Sequence, residues 1–527
     1  MNNQLTFVNH ASFYIDNGST LLLVDPWVEG TVFNNGWRLL DTTTSNAALV
    51  HELAARKRNT FIWYSHEHPD HFSVSFIKKL QQDFPGKVTM LFQQTKDQRV
   101  LGFLKKNGFD VIECAPGVPI ALDKTMSITV YPFSEGDSYC LIQSGQRHIL
   151  NINDCPLLTQ AMCRAVRTQI APVTDKIDVL FTQFGYANWV GNPFEPGLQP
   201  ARRGRKAGTH QPANARFAPA LTIPFASFVS FCSIENSYLN DYQNSAYTIR
   251  QWSTLSPETE NLRFMKPGDT IDLNKATPAS TMRMSQAAVA HWEQLSSGSR
   301  AVLPPEPPAS IATLQAAFAR YRHIIRSQLP VLPYVLERFG LLKPLRIHFP
   351  DLRLTVRFSY VHGYTALPGG SAFDISMSSS SAVFIFTNEY GFNTTHVNGR
   401  FRTAGPQSLH RFQPILHAAE PGAPGFWHRP SVCYRDPSGR QSAGPPADRR
   451  LTRTRKNGRM THMCANYTPS KREAFSHHYG LERAAFDFPS ESFPGYLAPV
   501  LRESREQADK RSNAFLPYSG WCRTGPT

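Results

Sequence analysis

Three histidines and two acids fall within six residues in the segment Ile62-Trp63-Tyr64-Ser65-His66-Glu67-His68-Pro69-Asp70-His71-Phe72-Ser73. Imidazole nitrogens and carboxylate oxygens are the ligand set of Zn²⁺, Fe²⁺ and Mn²⁺. The apolar run before the cluster reads as a strand and the stretch after it as a helix, so the ligands would sit at a strand end, a rigid platform. The alternation His66-Glu67-His68 lets two imidazoles project together, and a turn at Pro69 would bring Asp70 and His71 round beside them. The alternative is a hydrated surface cluster, which rarely reaches this density.

The elements able to hold such a site come from period-2 runs punctuated by Gly, Asn, Asp and Pro. Strands are expected at Leu5–Val8, Phe13–Ile15, Leu21–Val24, Thr60–Tyr64, Val88–Phe92 and Val111–Glu113. Others are expected at Met126–Tyr131, Tyr139–Ile142, His148–Asn151 and Ile177–Phe181. Helices are expected at Ser73–Gln82 and Gln98–Lys106, each with an apolar face. A Pro-rich hinge at 303–310 precedes an amphipathic helix carrying Leu314, Phe318, Tyr321 and Ile325, and Leu352–Phe401 reads as strands plus a turn. The expected organisation is an α/β domain at 1–275, a helical and strand (α+β) extension at 276–401, and an Arg/Pro-rich tail at 402–527.

The chain has 527 residues, 41% of them hydrophobic and 18% charged. That suits a globular protein of two to four domains at ~100–200 residues each. Its net charge of +15 is unevenly spread. Residues 402–527 hold 19 Lys+Arg against 10 Asp+Glu, and residues 198–216 hold five basic residues and no acid. The remainder carries 31 basic and 30 acidic residues, so the body lacks the phosphate-tracking charge of a nucleic-acid binder. Both basic segments are rich in Arg, Pro, Ala and Gly. They read either as disordered sequence or as out-of-frame translation of a GC-rich gene, and no function attaches to them. No apolar run reaches the ~18 residues of a bilayer span, and Met1–Thr6 has no basic head before an apolar stretch, so a cytoplasmic protein is expected. None of the eight Cys forms a CxxC pair, and Walker, GxGxxG and GxSxG motifs are missing.

The HxHxDH element resembles the signature of the metallo-β-lactamase superfamily. His10-Ala11-Ser12, Asp25-Pro26-Trp27 and Asn153-Asp154-Cys155 follow in the matching order. His10-Ala11-Ser12 resembles the branch that holds the ascorbate-phosphate lactonases and the NAPE-hydrolysing phospholipase D. The segments VDPWVEGTVFNNGWRLL (24–40), SHEHPDHFSVSFIKKL (65–80), RHILNINDC (147–155) and KPGDTIDL (266–273) sharpen the likeness. They are similar to the hydrolase-like half of CMP-N-acetylneuraminic acid hydroxylase and to bacterial relatives without the Rieske half.

This resemblance implies an αβ/βα sandwich. It implies that His66 and His68 bind one metal, Asp70 and His71 a second, and that Asp154 bridges them. Zinc is the expected ion, one or two per chain, with iron and manganese as alternatives. Paired ions hold a hydroxide and polarise an ester, lactone or phosphodiester, with Asp70 orienting the water. His10 would support the site from behind or touch a small-molecule substrate.

Two of the family's histidines are missing. One is expected after Met126–Tyr131, where the sequence reads Pro132-Phe133-Ser134-Glu135-Gly136-Asp137. The other is expected near Ile223-Pro224-Phe225-Ala226, where the hydroxylase is also PFA-like. Glu135 and Asp137 are the acids available as substitutes, although loop acids of this kind are usually solvated. A metal-dependent hydrolase is the first functional expectation. An iron-dependent oxygenase component is the second: two His and a carboxylate suffice for non-haem iron, but no CxH of a Rieske centre is present, so a separate electron donor would be needed. A non-catalytic nucleotide-sugar-binding relative is the third. Trp27 and Trp37 are expected in the core rather than in a cleft. Gln183, Tyr186, Asn188 and Trp189 are either substrate contacts or a polar loop.

Overall fold

The computed structural model describes residues 2–405 and 408, apart from 134–135, 158, 186–187, 194–215, 254–259, 299 and 329. The expectations for the basic insert and for nearly all of the tail therefore lie outside the described residues.

Two mixed sheets face each other. The first has seven strands in the order Thr270–Asp272, Gln4–Asn9, Ser12–Asp16, Thr20–Val24, Asn59–Tyr64, Val88–Gln93 and Asp110–Cys114. The chain starts as an antiparallel meander and turns parallel from Thr20–Val24 onward. The second has six strands in the order Leu221–Phe225, Val179–Gln183, Arg147–Asn151, Ser138–Ser144, Met126–Pro132 and Ile120–Ala121.

Alternation sorts the side chains into layers. Leu22, Val24, Trp63 and Leu91 point inward and meet Ile128, Val130, Ile142, Ile149 and Phe181 of the second sheet. Leu21, Leu23, Ile62, Tyr64, Met90 and Phe92 point outward, under the helices Asn46–Arg56, Val74–Asp83 and Arg99–Lys106. Leu141, Leu150 and Leu180 take the outer face of the second sheet against Cys163, Val166 and Ile170 of the helix Gln160–Ile170. Helices outside and two sheets inside make the αβ/βα sandwich that the resemblance implied. The helix Pro278–Ser297 adds to the same core: Trp292 is 1% exposed, stacks on Phe228 at 3.9 Å and donates its indole N–H to Met265 O.

A smaller sheet follows, in the order Gly363–Leu367, Leu354–Ser359, Leu345–Phe349, Ile375–Ser376 and Arg402–Thr403. The helix Ile311–Gln328 covers it through Leu314, Phe318, Tyr321 and Ile325, the stripe expected from spacing. Two findings differ from expectation. Arg402–Thr403 pairs with Ile375–Ser376, so ordered structure runs past residue 401 into the stretch assigned to the tail. Ser379–Thr387 and Gly391–Asn398 are helices rather than strands. The first is capped by Asp351, whose carboxylate accepts from the Ser379 backbone N–H at 2.9 Å and its hydroxyl at 2.6 Å. That acid lies 28 residues upstream, beyond any local pattern.

Candidate metal centre

The site forms where strand ends of both sheets converge. Asn59–Tyr64 ends in Ser65, and Asp25 holds that turn: its carboxylate accepts from the Ser65 N–H at 2.8 Å and the Ser65 hydroxyl at 2.7 Å. His71 and Phe72 then donate backbone N–H groups to His68 O, and Ser73 caps the helix Val74–Asp83. The motif is thereby folded into a tight loop between strand and helix. It carries His66, Asp70 and His71 inside, at 2%, 3% and 0% exposure, and leaves His68 at the mouth.

Asp25 is fully buried and also accepts from Asn153 Nδ2 at 2.7 Å and His71 Nδ1 at 3.0 Å. A carboxylate only accepts, so His71 carries a proton on Nδ1 and turns Nε2 toward the site. Asp25, Asn153 and His10 all take left-handed backbone, at φ 40°, 46° and 40°. Strain of this kind in non-glycine residues gathers at functional sites.

Three overlapping groups of ligand atoms result: His66 with His68 and Asp137, His66 with His71 and Asp154, and His10 with Asp70 and His71. His66 Nε2 and His68 Nδ1 lie 2.8 Å apart, and Asp137 Oδ1 is 3.9 Å from His66 Nε2. His71 Nε2 is 3.4 Å from both Asp70 Oδ2 and Asp154 Oδ2. The five residues of the expected ligand set thus fall in three groups joined through His66 and His71, together with His10 and Asp137.

Asp137, expected to be a solvated loop acid, is half-buried beside His66 and His68. The reason is Ser65 O, which accepts from Ser138 Oγ and from Gln93 Nε2 and so ties the start of Ser138–Ser144 to the motif. Glu135 lies outside the described residues. Asp137 was available from sequence only as a substitute ligand of a kind usually solvated, and nothing in the local sequence marked Asp25 as an anchor. The available signal was position, since each directly adjoins a strand end at the same edge.

Electrostatics agree with a cation-binding centre. Burial, with His71 and His68 nearby, holds the His66 imidazole well below its usual pKa and keeps it neutral, as a ligand must be. Burial would also lower His71, but Asp70 and Asp154 overcome it and raise that ring well above the ordinary histidine range. Against the upward push of burial, His71 brings Asp154 down to about 2 and Asp70 well below the usual carboxylate range. Buried atoms without hydrogen-bond partners include both His10 nitrogens, Asp70 Oδ1, His71 Nε2 and Asp154 Oδ1. Buried polar groups are normally satisfied, and these are the atoms a divalent cation would satisfy, so the donor set fits one.

Other candidates resolve differently. Trp27 and Trp37 are core residues, 1% and 2% exposed, and Trp27 also meets His10 edge-on at 5.3 Å. Trp189 stacks on Phe401 at 4.9 Å in the core of the smaller sheet, which removes it from any substrate role. Gln183 donates to Asp154 O at 2.6 Å, fixing the loop that carries that ligand. Tyr186 lies outside the described residues.

No known family model matches the chain. Over 160 residues it is 28% identical to the CMP-N-acetylneuraminic acid hydroxylase of Xenopus laevis, covering 29% of this chain and 26% of that protein. Over this stretch the chain is similar to the hydroxylase. It therefore spans only about a quarter of the length of that relative. Among solved structures, a variant of the CmlA β-hydroxylase aligns over 51% of this chain and 54% of its own, at 15% identity and a TM-score of 0.34. The metallo-β-lactamase fold protein YhfI from Bacillus subtilis aligns over 51% of this chain and 99% of its own, at 14% identity and a TM-score of 0.33. Among the described residues, no helix is long and apolar enough to cross a membrane.

Proposed function

We propose that the chain is a metal-dependent hydrolase acting on an ester, lactone or phosphodiester of a small molecule. The observation that carries this reading is the set of buried imidazole and carboxylate atoms without partners at the junction of the three His/Asp groups. Bound cations would supply polarisation of the scissile group and a water acidic enough to ionise near neutral pH. His66, His68, Asp70, His71 and Asp154 are the residues that would hold them. Asp70, near both His10 and His71, would also orient an attacking water and accept its proton. His68 and Asp137, on the open side, would meet the substrate, and Trp27 packs edge-on against His10 at 5.3 Å.

A second reading is favoured by one specific observation. His66, His68 and Asp137 make a two-histidine, one-carboxylate set, the ligand type of non-haem Fe(II) oxygenases. In that case the chain is an oxygenase component drawing electrons from a separate protein.

Elemental analysis of the full-length protein beside a His66→Ala/His68→Ala variant separates the readings. About two zinc or manganese ions per chain, lost in the variant, support the hydrolase and direct the search to ester and phosphodiester substrates. One iron per chain moves the assignment to the oxygenase component. A folded parent that binds no metal refutes both enzymes and leaves a binding module.

A further inference from the structure

We propose that His10 is itself a metal ligand, completing a second cation site with Asp70 and His71. The inference rests on the metal-binding reading above and concerns a residue placed behind the HxHxDH loop by sequence. His10 occupies the two-residue turn between Gln4–Asn9 and Ser12–Asp16.

Its backbone is held from two sides. The His10 N–H donates to Asn9 Oδ1 at 2.9 Å, while His10 O accepts from the Ala226 N–H at 2.8 Å. Asn9 is fixed in turn, donating to Asp41 O at 2.9 Å and Thr44 Oγ1 at 2.8 Å. Such pinning is what sustains the left-handed backbone of a residue with a Cβ. Its result is that the ring is aimed at the site.

The ring is 1% exposed, and neither nitrogen has a hydrogen-bond partner. A core histidine kept for structure normally donates from one nitrogen and accepts at the other. Here the nearest acceptor to Nε2 is Asp70 Oδ2, at 3.5 Å. The same oxygen stands 3.4 Å from His71 Nε2, and Asp70 Oδ1 is also without a partner. Two imidazoles thus approach one oxygen of Asp70, at 3.5 and 3.4 Å, and the three groups lie close enough together to share a cation. Imidazole with carboxylate is a borderline donor set suited to zinc or manganese. Asp154, 3.4 Å from His71 Nε2, stands on the side facing His66 and His68 and would be shared between the two positions.

The competing account is packing, because His10 fills space between Trp27 and His71. His10→Phe tests it: phenylalanine keeps a flat ring against Trp27 and removes both nitrogens. Full-length protein, His10→Phe and the His66→Ala/His68→Ala variant would be stripped and titrated with zinc, with bound ions counted after gel filtration and folding followed by circular dichroism. The expected result is two ions in the parent and one in a folded His10→Phe, with Co²⁺ substitution losing part of its visible absorption. A parent with two ions and a His10→Phe that also keeps two at unchanged affinity overturns the ligand role while leaving the proposed function standing. A parent with a single ion that His10→Phe retains overturns it as well. A folded parent without metal overturns this inference and the proposed function together.

Discussion

The sharpest perturbation of the centre is Asp25→Asn, because the side chain keeps its shape and loses one acceptor oxygen and its charge. Asp25 is fully buried and receives four donors: the Ser65 N–H and hydroxyl, Asn153 Nδ2 and His71 Nδ1. An amide can face its oxygen to the three donors at Oδ2, but its NH₂ then meets the Ser65 N–H. A buried donor left without an acceptor costs about 1–3 kcal/mol, and three bonds downgraded from charged to neutral cost about 1 kcal/mol each. The metal-free protein should therefore lose about 4–6 kcal/mol of stability. In the opposite flip, the amide donates to His71 Nδ1 and forces the ring proton onto Nε2, the atom that faces the ions. Loss of such an orienting partner typically weakens metal binding 10–100-fold, about 1.4–2.7 kcal/mol. Urea unfolding of the metal-free protein gives the first quantity, and competition with a chromophoric chelator for zinc gives the second. A variant that unfolds like the parent and binds zinc within about twofold of it would refute the orienting role.

Three further outcomes can be checked. Arg400 is 1% exposed and pairs with Glu235 and Glu306, each at 2.9 Å. Arg400→Leu should destabilise the protein by about 3 kcal/mol, near the low end for a broken buried pair because the carboxylates keep some solvent, as denaturant unfolding would show. The same pairing predicts acid sensitivity: burial would raise Glu235 and Glu306, but Arg400 outweighs it and lowers both. Their contribution is complete above the unfolded carboxylate range and is lost as pH falls below it through their lowered folded values, so melting temperatures of the parent should drop on acidification more steeply than those of Arg400→Leu. Phe318 is 3% exposed and packs edge-on to Phe358 at 4.6 Å and Phe386 at 5.3 Å. Phe318→Ala should cost about 3–5 kcal/mol, measured by the same unfolding assay.

The sandwich was legible because its information is local. Alternation in Leu21-Leu22-Leu23-Val24 and Ile62-Trp63-Tyr64 divides side chains between the inner core and the helical layer, and each predicted strand overlaps an observed one. Boundaries moved where tertiary contact decides them. Val179–Gln183 begins two residues later than its apolar run because its register is set by the parallel partners Arg147–Asn151 and Leu221–Phe225. The helix Ser379–Thr387, inside the stretch Leu352–Phe401 expected as strands plus a turn, is capped by an acid from another element, which local sequence does not show.

The centre divides along the same line. His66, His68, Asp70 and His71 are legible because one loop carries them, and Asp154 only through the resemblance, which implies an aspartate after the strand Arg147–Asn151. Asp137, His10 and Asp25 become chemical only through contacts 40 or more residues apart in sequence: Ser138 on Ser65, Ala226 on His10, Ser65 on Asp25. These contacts also decide what the two missing histidines mean. If the proposed centre holds metal, the Asp137 carboxylate beside His66 and His68 would make the open position harder and more anionic than imidazoles alone, which would favour oxygen-loving ions there. The deep position, walled by Trp27 and supplied by two imidazoles and Asp70, keeps a borderline character suited to zinc. The two positions should therefore differ in metal preference. Anomalous scattering from crystals soaked with zinc and manganese together reads this directly: manganese is expected beside Asp137 and zinc beside His10, and equal mixing at both would show that the substitutions leave selectivity unchanged.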